Sequence, residues 1–306
     1  MSISRRQFLA YLAGAAMVVP LIGAGYGFGL EPAWLDATET DIALPGLAPA
    51  FDGFRIALVS DLHYGGYLPL ARLEQVVRLV NELDADLIAL AGDLVSQPRN
   101  AAYLVDRARG LPVANWRRSP SADAVFGVCV PQVAQMRARL GALAVLGNHD
   151  HWVDAAAGRA WLDRYGIGII ENRHRVVERT HDRLVVAGVG DQWEGTQDLD
   201  AAFAGAPPAE DAPRIVLCHN PDFAVDPHLA RHRVSLLLCG HTHGGQVYVP
   251  GLGAPILPIR HKEFARGLVR TDWGQVYISR GIGQASPPVR VLSRPEIALI
   301  RLRTAG

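Results

Sequence analysis

The chain has 306 residues, and its 30 lysines and arginines balance its 30 aspartates and glutamates, so the formal net charge at pH 7 is zero. This balance excludes the strong basic field with which many proteins attract nucleic acid, so no nucleic acid is expected as a partner. The length allows one large domain or two small ones. Three cysteines are too few for a disulfide framework.

The N-terminal segment carries a pair of arginines followed by a long uncharged run. Arg5 and Arg6 precede 23 uncharged residues at positions 8–30. This pattern resembles a twin-arginine (Tat) export signal, and as a helix the run would reach about 35 Å, enough to cross a bilayer. We predict that residues 1–30 form an N-terminal hydrophobic helix, which is a removed signal or, as we favour, a membrane anchor. The Tat export machinery would be a partner, and the rest of the chain would lie on the exported face, periplasmic or extracytoplasmic.

Residues 31–53 mix acidic residues, prolines and small residues, and we predict a spacer with one edge strand at 41–44. From residue 54 the pattern changes to short apolar runs that end in polar residues. Such runs are typical of strands buried on both faces of a sheet. Five such strands are predicted, at 54–60, 86–92, 142–147, 214–219 and 234–240.

Helical spacing of apolar residues alternates with these strands, which favours an α/β protein. The predicted helices cover 70–85, 130–141 and 154–166. Two segments that flank a short turn, at 173–180 and 182–190, predict an antiparallel hairpin, so the sheets are expected to be mixed. Two late strands are predicted at 275–283 and 296–303.

A long, irregular, arginine-rich segment covers residues 97–127. Loops of this size are often functional, although we slightly favour a solvated surface insertion. As a cap over a site, the segment could bind phosphate or anionic headgroups through its arginines. These are Arg99, Arg107, Arg109, Arg117 and Arg118.

Polar side chains directly follow the five predicted buried strands. They are Asp61 and His63, then Asp93, then Asn148, His149 and Asp150, then His219, and finally His241 and His243. Each group alone could be surface polarity or part of a turn. Because ligands collect beyond the carboxyl ends of strands in α/β sheets, we expect these side chains to converge. So many buried polar groups without partners would be costly, and metal ions would supply the partners.

The chemistry of these side chains narrows the choice of metal. Carboxylate, imidazole and amide ligands without thiolate suit Mn²⁺, Fe or Zn²⁺ rather than Ca²⁺ or a structural zinc. Seven candidate ligands are too many for one metal with an open position and suit two divalent ions. Two metals about 3.5–4 Å apart form a clamp for in-line displacement at phosphorus. Asp93, alone after its strand, is the natural bridge, and a bridging hydroxide would be the nucleophile.

The order of the motifs is similar to that of a known family. Five motifs follow one another between residues 61 and 243. They are Asp61-x-His63, Gly92-Asp93, Gly147-Asn148-His149-Asp150, His219 and Gly240-His241-x-His243. In this order the chain resembles the calcineurin-like metallophosphoesterases. The resemblance implies a four-layer α/β/β/α sandwich of two mixed sheets over residues 54–306, with a dinuclear site at the strand ends.

The resemblance also implies a role for each residue. One metal would be bound by Asp61, His63 and His243, the other by Asn148, His219 and His241, and Asp93 would be shared. His149 would donate a proton to the leaving oxygen or stabilise the charged transition state, and Asp150 would orient its imidazole. Trp152, close after this motif, could line the substrate cleft, but we expect it to pack against other side chains.

A narrower resemblance concerns the substrate. The chain resembles an exported, membrane-anchored bacterial subgroup in four segments. These are the twin-arginine segment, "CHNPD" (218–222), "GHTHGGQ" (240–246) and "RPEIALIRL" (294–302). Relatives of this subgroup include enzymes that hydrolyse the pyrophosphate of UDP-2,3-diacylglucosamine in lipid A synthesis, although the 97–127 insertion departs from the compact pattern. The predicted function is a dinuclear phosphodiesterase or pyrophosphohydrolase acting on a small-molecule or lipid-linked phosphate of the envelope. The alternatives are a broad phosphomonoesterase, a protein or nucleotide phosphatase, and a non-catalytic metal-binding envelope protein.

Overall fold

The computed structural model describes residues 23–97 and 121–305. Within these residues, twelve strands form two mixed six-stranded sheets, so the fold is α/β. The first sheet contains β1 (Asp36–Leu44), β2 (Arg55–Val59), β3 (Leu87–Ala91), β4 (Ala142–Val145), β5 (Gly168–Ile169) and β12 (Glu296–Thr304). The second contains β6 (Arg173–Arg179), β7 (Asp182–Gly188), β8 (Arg214–Leu217), β9 (Val234–Cys239), β10 (Gly267–Arg270) and β11 (Gln275–Ile278).

Parallel strands form the middle of each sheet. The first sheet has the order β1-β12-β2-β3-β4-β5, in which β2 to β5 are parallel and β12 is antiparallel to β2. The second has the order β10-β11-β9-β8-β7-β6, in which β11, β9, β8 and β7 are parallel and each edge strand is antiparallel to its neighbour. The carboxyl ends of the parallel strands therefore meet at one edge of each sheet, where ligands collect in such folds.

Helices pack on the first sheet because their apolar residues recur on one face. The three longest helices of the described residues are α1 (Leu70–Glu82), α2 (Ala122–Val133) and α3 (Asn148–Arg164), and α3 is kinked at Asp154. In α1 the buried residues Leu73, Val76, Val77 and Val80 follow helical spacing and join the core beneath the helices.

The strands are apolar on both faces because each face meets a different core. In β2, Ala57 and Val59 belong to the core beneath the helices, whereas Ile56 and Leu58 belong to the core between the two sheets. A third core covers the other face of the second sheet, where Leu237 of β9 packs with Phe223 and Leu229 from short helices. The continuous apolar runs of the sequence therefore correspond to strands with no solvent-facing side.

Most of the predicted elements are confirmed. The five buried strands correspond to β2, β3, β4, β8 and β9, the hairpin to β6 and β7, and the late strands to β11 and β12. The short strands β5 and β10 were not predicted. The edge strand predicted at 41–44 begins earlier, at Asp36, and pairs in parallel with β12 from Asp36 opposite Glu296 to Leu44 opposite Thr304.

The helix predicted over 130–141 is wrong. Helix α2 ends at Val133, and residues 134–141 lie in turns and irregular structure. The backbone of this stretch is hydrogen-bonded to the loop after α1, because Arg139 N donates to Ala85 O and Leu140 N donates to Asp86 O. These bonds to another segment replace the intrahelical bonds that the apolar spacing suggested.

The segment predicted as irregular over 97–127 is also partly helical. Its last residues belong to α2, which begins at Ala122 and buries Val125 and Phe126. Residues 98–120, with the five arginines of the predicted insertion, lie outside the described residues.

The hydrophobic helix predicted over residues 1–30 lies mostly outside the described residues, which begin at 23. Its last residues, Tyr26–Leu30, form a π-helical turn that continues into Glu31–Ala33. Across 23–97 and 121–305, none of the helices combines the length and the apolar character needed to cross a bilayer.

Candidate metal centre

The predicted ligands lie in the segments that leave the strands of both sheets. Asp61 and His63 follow β2, Asp93 follows β3, and Asn148 begins α3 after β4. From the second sheet, His219 follows β8, and His241 and His243 follow β9. All seven side chains are buried, and the structure brings them together in adjoining clusters of potential ligand atoms.

The first cluster consists of Asp61, His63 and His243. The Nε2 atoms of the two imidazoles are 2.9 Å apart, and Asp61 Oδ1 lies 3.6 Å from His243 Nε2. Asp61 is positioned by its neighbours, since its oxygens accept hydrogen bonds from the Ser60 hydroxyl and, at 3.0 Å, from His241 N. One carboxylate and two imidazoles therefore point into one small volume.

The second cluster consists of Asp93, His219 and His241, with Asn148 beside it. His219 Nε2 lies 3.1 Å from His241 Nδ1, 3.2 Å from Asn148 Oδ1 and 3.3 Å from Asp93 Oδ2. The outer ring nitrogens face carbonyls: His219 Nδ1 is 2.7 Å from Ala91 O, and His241 Nε2 is 3.3 Å from Pro258 O. Donation to these carbonyls leaves the inner nitrogen of each neutral ring with its lone pair toward the cluster.

Asp93 lies between the two clusters. Its Oδ2 atom is 3.5 Å from His63 Nε2 and 3.3 Å from His219 Nε2, so one oxygen faces an imidazole of each cluster. Its other oxygen, Oδ1, accepts a hydrogen bond from His149 N at 2.8 Å. The structure thus places Asp93 where a shared ligand would have to lie, and its bridging role stays a prediction.

Most of these side chains are presented by an unusual backbone. A left-handed conformation at a residue other than glycine costs about 1–3 kcal/mol, and it persists only where the surrounding structure imposes it. Five of the seven candidate ligands adopt it, with φ values of 50–71°: Asp61, His63, Asp93, His241 and His243. The chain therefore turns sharply as it leaves β2, β3 and β9, which directs these side chains into the site.

Close approach of backbone to the clusters requires glycine at two positions. A Cβ atom on Gly147 would lie 2.3 Å from Asp93 Oδ1, and one on Gly240 would lie 1.7 Å from Ser60 Oγ. Both distances are shorter than any van der Waals contact. The glycines of the Gly-Asn-His-Asp and Gly-His-x-His motifs thus make room for the carboxylates beside them.

In the second cluster, Asp93 and His219 shift each other's pKa in opposite directions. Burial disfavours ionisation of Asp93, but the charges of His219 and His149 hold the pKa of that carboxyl well below its usual value. Burial also opposes a charged His219, yet Asp93 raises the pKa of its imidazole well above the usual value. The carboxyl of Asp93 is thus held in its ionised form, which is the form that binds a divalent cation.

The histidines that follow β9 are neutral at pH 7. Burial, together with the charge of His219, lowers the pKa of His241 to about 3. Burial and the charges of His63 and Arg290 hold the pKa of His243 well below its usual value. Burial, reinforced by Asp93, raises the pKa of Asp61 to about 6. Neutral imidazoles and carboxylates are the forms that bind divalent cations, so this set of donors fits metal binding.

The two predicted catalytic residues lie beside the clusters. The ring of His149 meets that of His63 edge to face, with centroids 4.6 Å apart, and Ser96 Oγ lies 3.1 Å from His149 Nδ1. The buried carboxylate of Asp150 accepts hydrogen bonds at 3.0 Å from Val95 N and Gly147 N. Asp150 thus connects the segments after β3 and β4, and its predicted role in orienting His149 stays a prediction.

Arg290 is a member of the site that was not predicted from the sequence. It is fully buried, and its Nη2 atom lies 3.3 Å from His243 Nδ1 and donates to the carbonyls of Gly281 and Gly283. Burial lowers the pKa of its guanidinium to about 9. In the sequence Arg290 stands between two valines of a proline-containing stretch, with nothing that distinguishes it from a surface arginine.

Comparison with known proteins shows what the chain is similar to. The model of the calcineurin-like phosphoesterase family matches residues 54–245. The uncharacterized metallophosphoesterase YkuE of Bacillus subtilis is 29% identical, and the alignment covers 99% of both chains. The phosphodiesterase YaeI of Escherichia coli is 32% identical over 98% of this chain and 99% of its own. A transmembrane protein with a metallophosphoesterase domain from Danio rerio is 30% identical over 95% of this chain and 62% of its own.

Proposed function

The chain belongs to the calcineurin-like phosphoesterase family and is a metal-dependent hydrolase of phosphoesters, and we propose that it cleaves a phosphodiester or pyrophosphate bond. The position of Asp93 carries the proposal, because a single carboxylate oxygen faces both clusters, as a two-metal phosphoesterase site requires. The phosphodiesterase name of the Escherichia coli relative supports a diester substrate.

The donor set divides into two binding sites. Asp61, His63 and His243 would hold one divalent cation, Asn148, His219 and His241 would hold the second, and Asp93 would contact both. Manganese, iron and zinc all suit nitrogen and oxygen donors of this kind. When bound, the cations supply the positive charge that activates water and neutralises the phosphate in the transition state.

His149 is the residue we assign to the leaving group. The contact between Ser96 Oγ and its Nδ1 fixes the ring beside His63, and the backbone N–H of His149 is bound by Asp93. An imidazole in this position would be within reach of a phosphate bound at the clusters. Nε2 of His149 would donate a proton to the leaving oxygen of the substrate.

The same proposal includes action at a membrane, on an envelope or lipid-linked phosphate such as UDP-2,3-diacylglucosamine. The apolar run that follows the arginine pair ends in Phe28 and Leu30, and both side chains are exposed. The next residue, Glu31, is buried and accepts hydrogen bonds from the backbone of Leu292 and Ser293. The end of the apolar run therefore lies against the segment that carries Arg290 into the metal centre, which supports a site near the bilayer.

Replacement of Asp93 tests the metal site. We expect Asp93→Ala to lose both the hydrolysis of bis(p-nitrophenyl) phosphate and the metal found by elemental analysis of the purified protein. Asp200→Ala, which removes an exposed carboxylate that pairs with His232 and belongs to neither cluster, is the control and should keep both. Full activity of Asp93→Ala would contradict the assignment of a shared carboxylate.

Substrate and location need separate measurements. A panel of a phosphodiester, a lipid-linked pyrophosphate and a phosphomonoester, each with Mn²⁺, Fe²⁺ and Zn²⁺, is expected to show the fastest turnover on one of the first two. Preference for the monoester would favour a broad phosphatase, and no turnover at all would favour a metal-binding protein without catalysis. For export, replacing both Arg5 and Arg6 with lysine should retain the chain in the cytoplasm if the Tat machinery carries it.

A further inference from the structure

Two tryptophans lie beside the metal centre with much of their surface open to solvent. Trp152 belongs to α3, one turn after His149, and Trp193 lies in the loop after β7. Their side chains are 42% and 48% exposed. The two rings stack on each other, with centroids 6.3 Å apart and planes inclined by 27°. Instead of being packed away as expected from the sequence, Trp152 is thus half of an exposed indole pair.

The indole pair connects two residues of the proposed active site. The Trp152 ring lies 4.6 Å from that of His149, and the Trp193 ring lies 4.7 Å from that of His241, which it meets edge to face. His149 is the proposed proton donor, and His241 is a candidate ligand of the second cluster. A phosphate bound at the clusters would therefore have this aromatic surface directly beside it.

The loop that carries Trp193 is fixed in place by hydrogen bonds. Trp152 Nε1 donates to Glu194 Oε1 at 2.7 Å, which joins α3 to this loop. The buried carboxylate of Asp191 accepts from Trp193 N at 2.9 Å and from Glu194 N at 3.0 Å. The exposed indole surfaces are thus presented in a defined arrangement, and Trp152 has its polar atom satisfied without hiding its ring.

Exposed apolar residues are common singly, but a fixed pair next to a polar site calls for a ligand. Flat aromatic rings favour offset stacking on indoles, and such stacking tolerates many kinds of ring. We propose that Trp152 and Trp193 form the binding surface for an aromatic ring, a nucleobase or an aryl group, attached to the phosphate of the substrate. This inference rests on the proposed function, since it assigns the organic part of the substrate of that same site.

The test compares two sugar phosphates, of which only one carries an aromatic ring. We would measure the binding of AMP and of ribose 5-phosphate to the metal-loaded full-length protein by calorimetry. Base stacking predicts that AMP binds on the order of tenfold more tightly. The preference should be lost in Trp152→Leu and in Trp193→Leu, which keep an apolar side chain, and should be largely restored in the corresponding phenylalanine variants. Trp161→Phe, in the ring pair of Trp161 with Tyr165, is the control and should leave the preference for AMP unchanged.

The outcomes separate this inference from the proposed function. Equal binding of the two ligands, or a preference that survives in both leucine variants, would overturn the aromatic surface even if diesters are hydrolysed. Absence of measurable AMP binding, or tighter binding of decyl phosphate than of AMP, would overturn it as well. A tryptophan-dependent preference for AMP in a protein that hydrolyses no diester would support the surface and contradict the proposed reaction. Metal content and melting temperature, measured for every variant, exclude simple misfolding.

Discussion

The two oxygens of the Asp93 carboxylate have different surroundings. Oδ1 is bound by the backbone N–H of His149, whereas Oδ2 faces His63 and His219. The position of the proposed proton donor is therefore coupled to that of the proposed shared ligand. The potential ligand atoms of His149 also lie close to those of His63 and Asp93, so a ligand role and a proton-donor role for His149 must be told apart by experiment.

Replacement of His149 distinguishes these two roles. We expect His149→Gln to lower kcat for bis(p-nitrophenyl) phosphate by about 10²- to 10⁴-fold, the usual effect of losing a positioned general acid, without changing metal content. His228→Gln, at an exposed imidazole, is the control and should keep both values. A parallel fall in bound metal and in kcat would show that His149 is a ligand instead.

At the scale of single elements, the strand ends combine strained backbone with close contacts. Asp61 and His241 both have positive φ angles, and Gly240 lies where an added Cβ would be 2.5 Å from Asp61 Oδ2. The segments after β2 and β9 thus touch each other through a glycine and a carboxylate. Any side chain at Gly240 has to push these two segments apart.

Gly240→Ala should therefore weaken the site as well as the fold. We expect a loss of about 2 kcal/mol or more in the free energy of unfolding, as for other overpacked interiors, together with weaker metal binding. Gly141→Ala is the control for the close contact, because nothing lies within 4 Å of a Cβ added at Gly141, whose φ of 76° makes alanine strained for a separate reason. It should cost about 1 kcal/mol of backbone strain and leave metal binding unchanged. Equal metal affinities of the two variants would contradict the contact.

The pairing of β1 with β12 predicts a dependence of stability on pH. Asp41 of β1 accepts hydrogen bonds from Arg301 and Arg303 of β12, and these bonds, that of Arg301 foremost, lower the pKa of its carboxyl. A lowered folded pKa stabilises the fold above the unfolded value of 3.8, and the contribution is lost as the pH falls through the folded pKa. The effect should shrink in high salt, since the pair is exposed.

Asp41→Asn should accordingly have a lower free energy of unfolding than the wild-type protein in urea at pH 7. The difference between the two should decrease progressively below pH 3.8. Glu178→Gln, at an exposed position of β6, is the control and should match the wild-type protein throughout. A difference between Asp41→Asn and the unchanged protein that stays constant down to pH 2.5 would contradict the lowered pKa. So would a difference that grows in high salt.

Elements with a strong repeating pattern could be predicted from the sequence, and weakly patterned ones could not. The buried strands were recognisable because both faces meet apolar cores, and their polar ends suggested where the ligands converge. The edge strand β10 alternates only weakly in burial, and β5 has two residues, so neither carries a clear signal. Arg290 and Trp193 reach the site through tertiary contacts that no local pattern encodes.

At the scale of the whole molecule, the metal centre joins the two sheets. The segments after β2, β3 and β4 of the first sheet carry Asp61, His63, Asp93 and Asn148. The segments after β8 and β9 of the second sheet carry the other three candidate ligands. Each cluster contains ligands from both sheets, so neither sheet could bind a cation as proposed without the other.

Metal binding should therefore stabilise the packing of one sheet on the other. A ligand that binds only the folded state adds about 4 kcal/mol per site at a thousandfold excess over its Kd, so chelation should lower Tm by several degrees. We expect scanning calorimetry of the full-length protein to show a Tm that rises with the logarithm of Mn²⁺ or Zn²⁺ concentration. Asp93→Ala should show a smaller rise, because it removes the ligand that we propose both cations share. If chelation removed the bound metal but left Tm unchanged, the cations could not lie between the sheets as proposed.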